Sequence, residues 1–182
     1  MVQLELLNKL PIKSDKFDSL SPHPTESDLA SRNKKRIHVA IMRKSWGLTA
    51  KILKGTKTIE SRWYMNKYKP WGEIEKGDEI YFKNSGEPVK IKAIVDNVLQ
   101  FENLTPEKVA EILKKYSKAD GLGIDSGDFE KYFQMFKNKK YCLLVFLKDV
   151  LEVEPFEIDK TGFGAMAAWL VVDKIDKIRL KS

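Results

Sequence analysis

Gly55-Thr56-Lys57-Thr58-Ile59-Glu60-Ser61-Arg62 sets one carboxylate between two cations inside a short β-rich segment, and the reading of the whole chain turns on it. Gly55 tolerates a positive φ, so it suits the end of a helix over residues 46–54 and the start of a strand. Residues 58–64 alternate. In a strand this projects Thr58, Glu60 and Arg62 from one face and Ile59, Ser61 and Trp63 from the other, with Lys57 at the strand's mouth. Between residues 43 and 69 there are eight Lys or Arg and a single acid, Glu60, a net +7. The chain of 182 residues as a whole also carries +7, so its entire basic excess surrounds this motif.

Working outward, Ile37-His38-Val39-Ala40-Ile41-Met42 reads as the first strand of a folded body. Gly77-Asp78 marks a turn before a strand over 79–83, a second turn follows at 84–88, and 89–101 reads as a long strand. Thr105 fits an N-cap with Pro106 at the first helical position, which opens a helix to about residue 116. Residues 121–127 read as a glycine-rich loop, 128–136 as a short helix, 140–153 as a long strand and 173–180 as the last strand. Strands with a few interspersed helices, and without regular βαβ alternation, predict an α+β domain built on a small β-barrel with flanking helices. Residues 1–10 read as a short amphipathic helix, and 11–36, rich in Pro, Ser, Asp and Lys, as an extended N-terminal arm or linker. The arm ends in a basic cluster, Arg32-Asn33-Lys34-Lys35-Arg36, which fits a solvated linker or a phosphate contact. The predicted division is therefore an arm over 1–36 and a folded domain over 37–182.

Composition narrows the function classes. With 42% hydrophobic and 32% charged residues the chain can bury one good core. It has no run of about 18 apolar residues and no cationic-then-apolar leader, which predicts a soluble cytoplasmic protein without a membrane partner. The single cysteine, Cys142, sits in the apolar run 141–147 and reads as a buried, inert thiol. His23 and His38 are the only histidines, so no metal site is expected, and the glycines match no phosphate-binding or dinucleotide loop, so no cofactor is expected. Ser45, Thr56, Thr58, Ser61 and Ser85 offer hydroxyls without a histidine nearby in sequence, which disfavours a Ser-His-Asp hydrolase.

Gly55, Lys57, Glu60 and Arg62 fit the G-x-K-x-x-E-x-R signature of ASCH domains. The preceding helix, the Gly77-Asp78 turn feeding a Tyr-Phe strand, and the long strand after Pro88 add to the match, and residues 37–180 together resemble that family. The resemblance implies a PUA-like β-barrel and the binding of RNA or a nucleotide in a cleft lined by the signature. Some small relatives in this superfamily hydrolyse the acyl group of N4-acetylcytidine with a lysine and a threonine nucleophile three positions later. Lys57 matches that lysine, but Glu60 stands where the threonine would be, so the amidohydrolase mechanism is not carried over. The acid those relatives keep on a later helix finds no match in the sequence. Other ASCH proteins are ribonucleases, and no residue pattern here places that activity.

The candidate binding residues are Lys54, Lys57, Glu60, Arg62, Trp46 and Trp71. Glu60 can form a structural ion pair, or accept hydrogen bonds from a base amine or ring N–H while Lys57 and Arg62 meet phosphate or a carbonyl oxygen. Trp46 is expected to cap the cleft from the helix start, and Trp71, after Lys69-Pro70, to stand in a loop. A base stacked on such a ring gains about 1–3 kcal/mol. The small-residue stretch 160–169 fits either a close approach to a ligand or a tight packing corner. The expected partner is RNA or a modified nucleoside or nucleotide. Two alternatives stand beside it: a hydrolase of amidohydrolase or ribonuclease type, in which Lys57 and Glu60 would be catalytic and activate water, and a protein-interaction module docking through residues 1–36.

Overall fold

A computed structural model describes residues 35–123 and 127–180. The expected helix over 1–10 and nearly all of the arm, including His23, lie outside the described residues. Arg36, at the arm's end, is anchored: its backbone N–H donates to Asp78 Oδ1 at 2.9 Å, and its guanidinium donates to the Glu73 carbonyl.

Six strands form one sheet: β1 (Ile37–Met42), β2 (Ile59–Tyr64), β3 (Glu79–Asn84), β4 (Val89–Phe101), β5 (Tyr141–Phe156) and β6 (Trp169–Val172). Their spatial order is β2-β5-β4-β3-β1-β6, with β1 and β3 parallel and every other pair antiparallel. Three register breaks interrupt the β4–β5 ladder, at Val89/Ile91, Lys92/Ile94 and Val95/Asn97. Each extra residue adds local twist, and together they curl the sheet into a half-barrel. The curl stops short of closure, so β2 and β6 remain edges. They approach each other closely enough for the Arg62 guanidinium on β2 to lie 4.9 Å from the Trp169 ring on β6.

Both faces of the sheet are covered, which explains why 141–147 is apolar without alternation. On one face Leu143, Val145 and Leu147 of β5 join Ala40, Phe82 and Val95 in a core capped by helix α1 (Leu48–Leu53). On the other, Cys142 and Leu144 pack with Ile59 against α2 (Pro106–Tyr116) and α3 (Phe129–Phe136). Cys142 is fully buried and its thiol is pushed up by burial, in keeping with an inert side chain. A third cluster packs Val39, Tyr81 and Leu170 against the chain's C-terminal turn. Thr105 caps α2 by accepting from Lys108 N, with Pro106 in the first turn, as the sequence predicts.

One expected strand is displaced. Residues 173–180 do not form the last strand; that is β6 at Trp169–Val172, paired with β1, and a 3-10 turn at Ile175–Lys177 follows it. The apolar run Trp169-Leu170-Val171-Val172 can bury itself beside β1, whereas Asp173, Lys174, Asp176 and Lys177 are exposed. Among the described residues no helix is long and apolar enough to cross a membrane.

Candidate functional site

The motif's geometry starts at Gly55. Its φ of +69° reverses the chain after α1, and Thr56 N and Lys57 N both donate to the Lys51 carbonyl. This folds Lys57 back beneath the first residues of β2 and buries it to 1% exposure, although it precedes the strand. From there the strand alternates as expected. Glu60 and Arg62 stand opposite Val145 and Leu143 on the inner face of the curl, and Ile59 and Trp63 face the helices.

What the sequence did not reveal is Asp120. The turn after α2 docks on the start of β2 through the Ala119 carbonyl, which accepts from both Thr58 N and Ile59 N at 2.8 and 3.0 Å. This delivers Asp120 to Lys57. The Lys57 ammonium donates to Asp120 Oδ1 at 2.5 Å, to the Asp120 carbonyl at 2.9 Å and to the Ile59 carbonyl at 2.6 Å, which uses its three protons. Gly121 permits the close packing: a Cβ there would stand 3.1 Å from Lys57 Cβ and 3.3 Å from Lys51 Cδ, and its φ is +68°. A legible signal did exist. An acid just past a helix C-terminus sits where the helix dipole disfavours it, so Asp120 needed another reason to be there.

Burial opposes the Lys57 charge, but Asp120 and Glu60 outweigh it and hold the ammonium above the ordinary lysine value. Burial lifts the Asp120 carboxyl above its usual range, with Lys57 acting against that rise. Lys57 is therefore a fixed, spent cation. It does not reach out to a phosphate, and an ammonium held this way is a poor proton acceptor. Its role is to hold two carboxylates in place.

Glu60 is 3% exposed. Its Oε1 lies 2.9 Å from Arg62 Nε and its Oε2 lies 3.2 Å from Lys57 Nζ. Both contacts are ion pairs by distance, yet Glu60 Oε2 and Arg62 Nε are buried without a hydrogen-bond partner among the described residues. Ser61 Oγ donates to Asp120 Oδ2 at 2.5 Å and accepts from Trp63 Nε1 at 3.2 Å, while the Trp63 ring stacks on Phe136 at 4.7 Å.

These groups line a cleft of about 560 Å³ along the open edge of β2. Because β2 pairs only with β5, residues from both of its faces reach this cleft: Glu60 and Arg62 from one, Ser61 and Trp63 from the other. Trp46 lines the opposite wall, with the Arg43 guanidinium 5.4 Å from its ring centroid. Lys160 and Ala165–Ala168 close the far side, so the small-residue stretch does border the cleft. Of the expected binding residues, Lys57, Glu60, Arg62 and Trp46 come together. Lys54 and Trp71 do not. Lys54 is exposed at the end of α1, away from the cleft lining. Trp71 stands in a loop as expected, but it packs against the inner core and meets Tyr141 edge-on at 5.3 Å.

A second buried chain braces the far wall. Trp169 Nε1 can only donate, and it donates to His38 Nδ1 at 3.1 Å, which puts the imidazole proton on Nε2, facing Asp78 Oδ2 at 3.1 Å. Asp78 also accepts from Arg36 N and Glu75 N; burial works against its charge, but these hydrogen bonds prevail and hold the carboxyl below its ordinary value. Trp169 is thereby fixed as the platform on which Arg62 lies. Among the described residues no cluster of three or more His, Cys, Asp or Glu is arranged to hold a metal ion.

The fold is that of ASCH domains. The crystal structure of ASCH from Zymomonas mobilis superposes with a TM-score of 0.54 at 14% identity, covering 75% of this chain and 87% of that one. A serine-to-alanine variant of the same protein gives 0.56 at 15% identity, over 79% and 93% of the two chains. A tyrosine-to-phenylalanine variant gives 0.55 at 15% identity, over 78% and 93%. No protein-family model matches the sequence. No curated protein matches it significantly.

Proposed function

We propose that the cleft binds RNA or a modified nucleotide, with Glu60 reading an exocyclic amine or ring N–H of a base. The observation that carries this reading is Glu60, on the wall of an open cleft, whose buried Oε2 is ion-paired with Lys57 at 3.2 Å but makes no hydrogen bond among the described residues. The Lys57 ion pair offsets the charge of this oxygen but leaves its hydrogen-bonding capacity unfilled, and a ligand N–H that reaches it would fill that capacity. The cleft offers the remaining chemistry. Trp46 and Trp63 supply faces for stacking, and Arg43, Arg62 and Lys160 supply positive charge around the opening. Affinity would come largely from phosphate contacts with the basic segment. Titration of single-stranded RNA at several salt concentrations tests this: log affinity is expected to fall linearly with log salt, with a slope of about 0.7 per phosphate neutralised. Salt-insensitive binding, or no binding to any RNA or nucleotide, would remove the reading.

A second reading, a hydrolase, is favoured by one contact. Ser61 Oγ borders the cleft and donates to Asp120, a carboxylate made more basic by burial. In that chemistry Ser61 Oγ would attack the acyl carbonyl while its proton passes to Asp120. The protonated Asp120 would give that proton to the departing amine as the C–N bond breaks, and water would then hydrolyse the acyl-serine to free the acid and restore Ser61. Lys57, with its protons committed, would position Asp120 rather than activate water itself. Incubation of acylated nucleosides and RNA with the protein, with products identified by mass, tests it. A product that persists in Ser61→Ala would remove Ser61 from the reaction.

A further inference from the structure

We infer that the cleft continues past Arg62 into a second lobe, which takes the adjoining nucleotide of a single-stranded chain. This rests on the binding reading above and specifies its ligand as an oligonucleotide rather than a free nucleoside. A cavity of about 580 Å³ lies on the other side of Arg62 and shares Arg62 and residues 166–168 with the first. Its own walls are Tyr64, Tyr68, Phe163 and Trp169, with Lys69 beside them. Among the described residues the lobe thus joins four rings to two cations, and no acidic residue lines it. Rings that offer π-faces beside two cations, each paired at one side with an acid outside the lobe's lining (Arg62 with Glu60, Lys69 with Glu73), match a stacked base and its phosphate better than an apolar peptide.

The partition between the lobes has the chemistry of a phosphodiester clamp. Arg62 lies over the Trp169 ring, 4.9 Å from its centroid, points Nε toward Glu60 and Nη2 toward Met42 Sδ, and its Nη1 group donates to nothing among the described residues. A guanidinium anchored at one end with free donors at the other suits a phosphate oxygen, and its place between the lobes is where the linkage of two nucleotides would run. The rim of the second lobe is also unusually bare. Tyr68 is 60% exposed and Met166 94% exposed, so two large apolar side chains stand in water at its mouth.

The test is competition for a fluorescein-labelled single-stranded RNA of 12 residues by mono-, di- and tetranucleotides of each of the four bases. For at least one base the dinucleotide is expected to compete about tenfold or more better than the mononucleotide. This gain from length should shrink by about fivefold or more in Tyr68→Ala, the loss of one stacking partner. Tyr68 is exposed, so the substitution leaves the core intact. Mononucleotides that compete as well as dinucleotides would overturn the second lobe and leave the first standing. A length gain indifferent to Tyr68→Ala would overturn it as well. If neither the labelled RNA nor any competitor binds, the second lobe and the reading beneath it fall together.

Discussion

Lys57 Nζ lies 2.5 Å from Asp120 Oδ1 across 63 positions of sequence, and both side chains are almost wholly removed from water. Burying two charges is expensive, and the pair is tolerable only because Lys57 also satisfies two carbonyls and Asp120 also accepts from Ser61. Removing one partner leaves the other uncompensated. Asp120→Ala is therefore expected to destabilise the fold by about 3–5 kcal/mol, read by urea denaturation. The double substitution Lys57→Met with Asp120→Leu is expected to remain destabilised, because it removes the ammonium that pairs with buried Glu60 and satisfies the Ile59 and Asp120 carbonyls.

Gly121 is the hinge of the same junction. Gly121→Ala must both accept a left-handed backbone and push a methyl group against Lys57. A loss of about 1–3 kcal/mol is expected. Gly86→Ala has the same backbone strain but open space around it, so the difference between the two variants isolates the steric contact.

Acid sensitivity is expected to trace to Asp78. Its folded carboxyl is held below the ordinary value of 3.8, so its stabilisation is present above that value and is lost as pH falls through the lower folded value. Asp78→Asn should be less stable than wild type at neutral pH, and its stability should fall less steeply on acidification. Parallel acid-unfolding curves for the two proteins would remove Asp78 from this role.

At the alkaline end the sign reverses. Lys57 is held above 10.5, so its stabilisation is complete below that value and is lost as pH rises through the folded value. Thermal unfolding of wild type is expected to weaken in this range, and the Lys57→Met and Asp120→Leu double variant is expected to lack that component.

How much of this was legible in the sequence depended on distance along the chain. The motif's alternation put Glu60 and Arg62 on one face because strand period is a local property. Thr105-Pro106 announced α2 for the same reason. Asp120 could not be paired with Lys57 because the contact is made by a turn that folds back across the helix layer, which no spacing rule reports. A tryptophan amid lysines looks alike in sequence whether it lines a cleft or packs on a core, and the contact that places Trp71 on the inner core is made by Tyr141, 70 positions away in sequence. The last strand falls earlier than its sequence pattern predicts because the apolar run that pairs with β1 is only four residues long and follows directly on the small-residue stretch before Trp169. His38 has no partner within reach in sequence, and its structural role rests on Trp169 and Asp78, which the fold brings to either side of it.

The most direct measurement is the affinity of wild type and Glu60→Gln for single-stranded RNA and a panel of modified nucleotides at one fixed salt concentration, with thermal unfolding confirming that both proteins are folded. If Glu60 Oε2 accepts a base N–H, the variant is expected to lose about 1.5–3 kcal/mol toward bases that present that donor, roughly 10- to 150-fold, and little toward bases that do not. Equal affinities of the two folded proteins across the whole panel would contradict the assignment of Glu60 as the reading group.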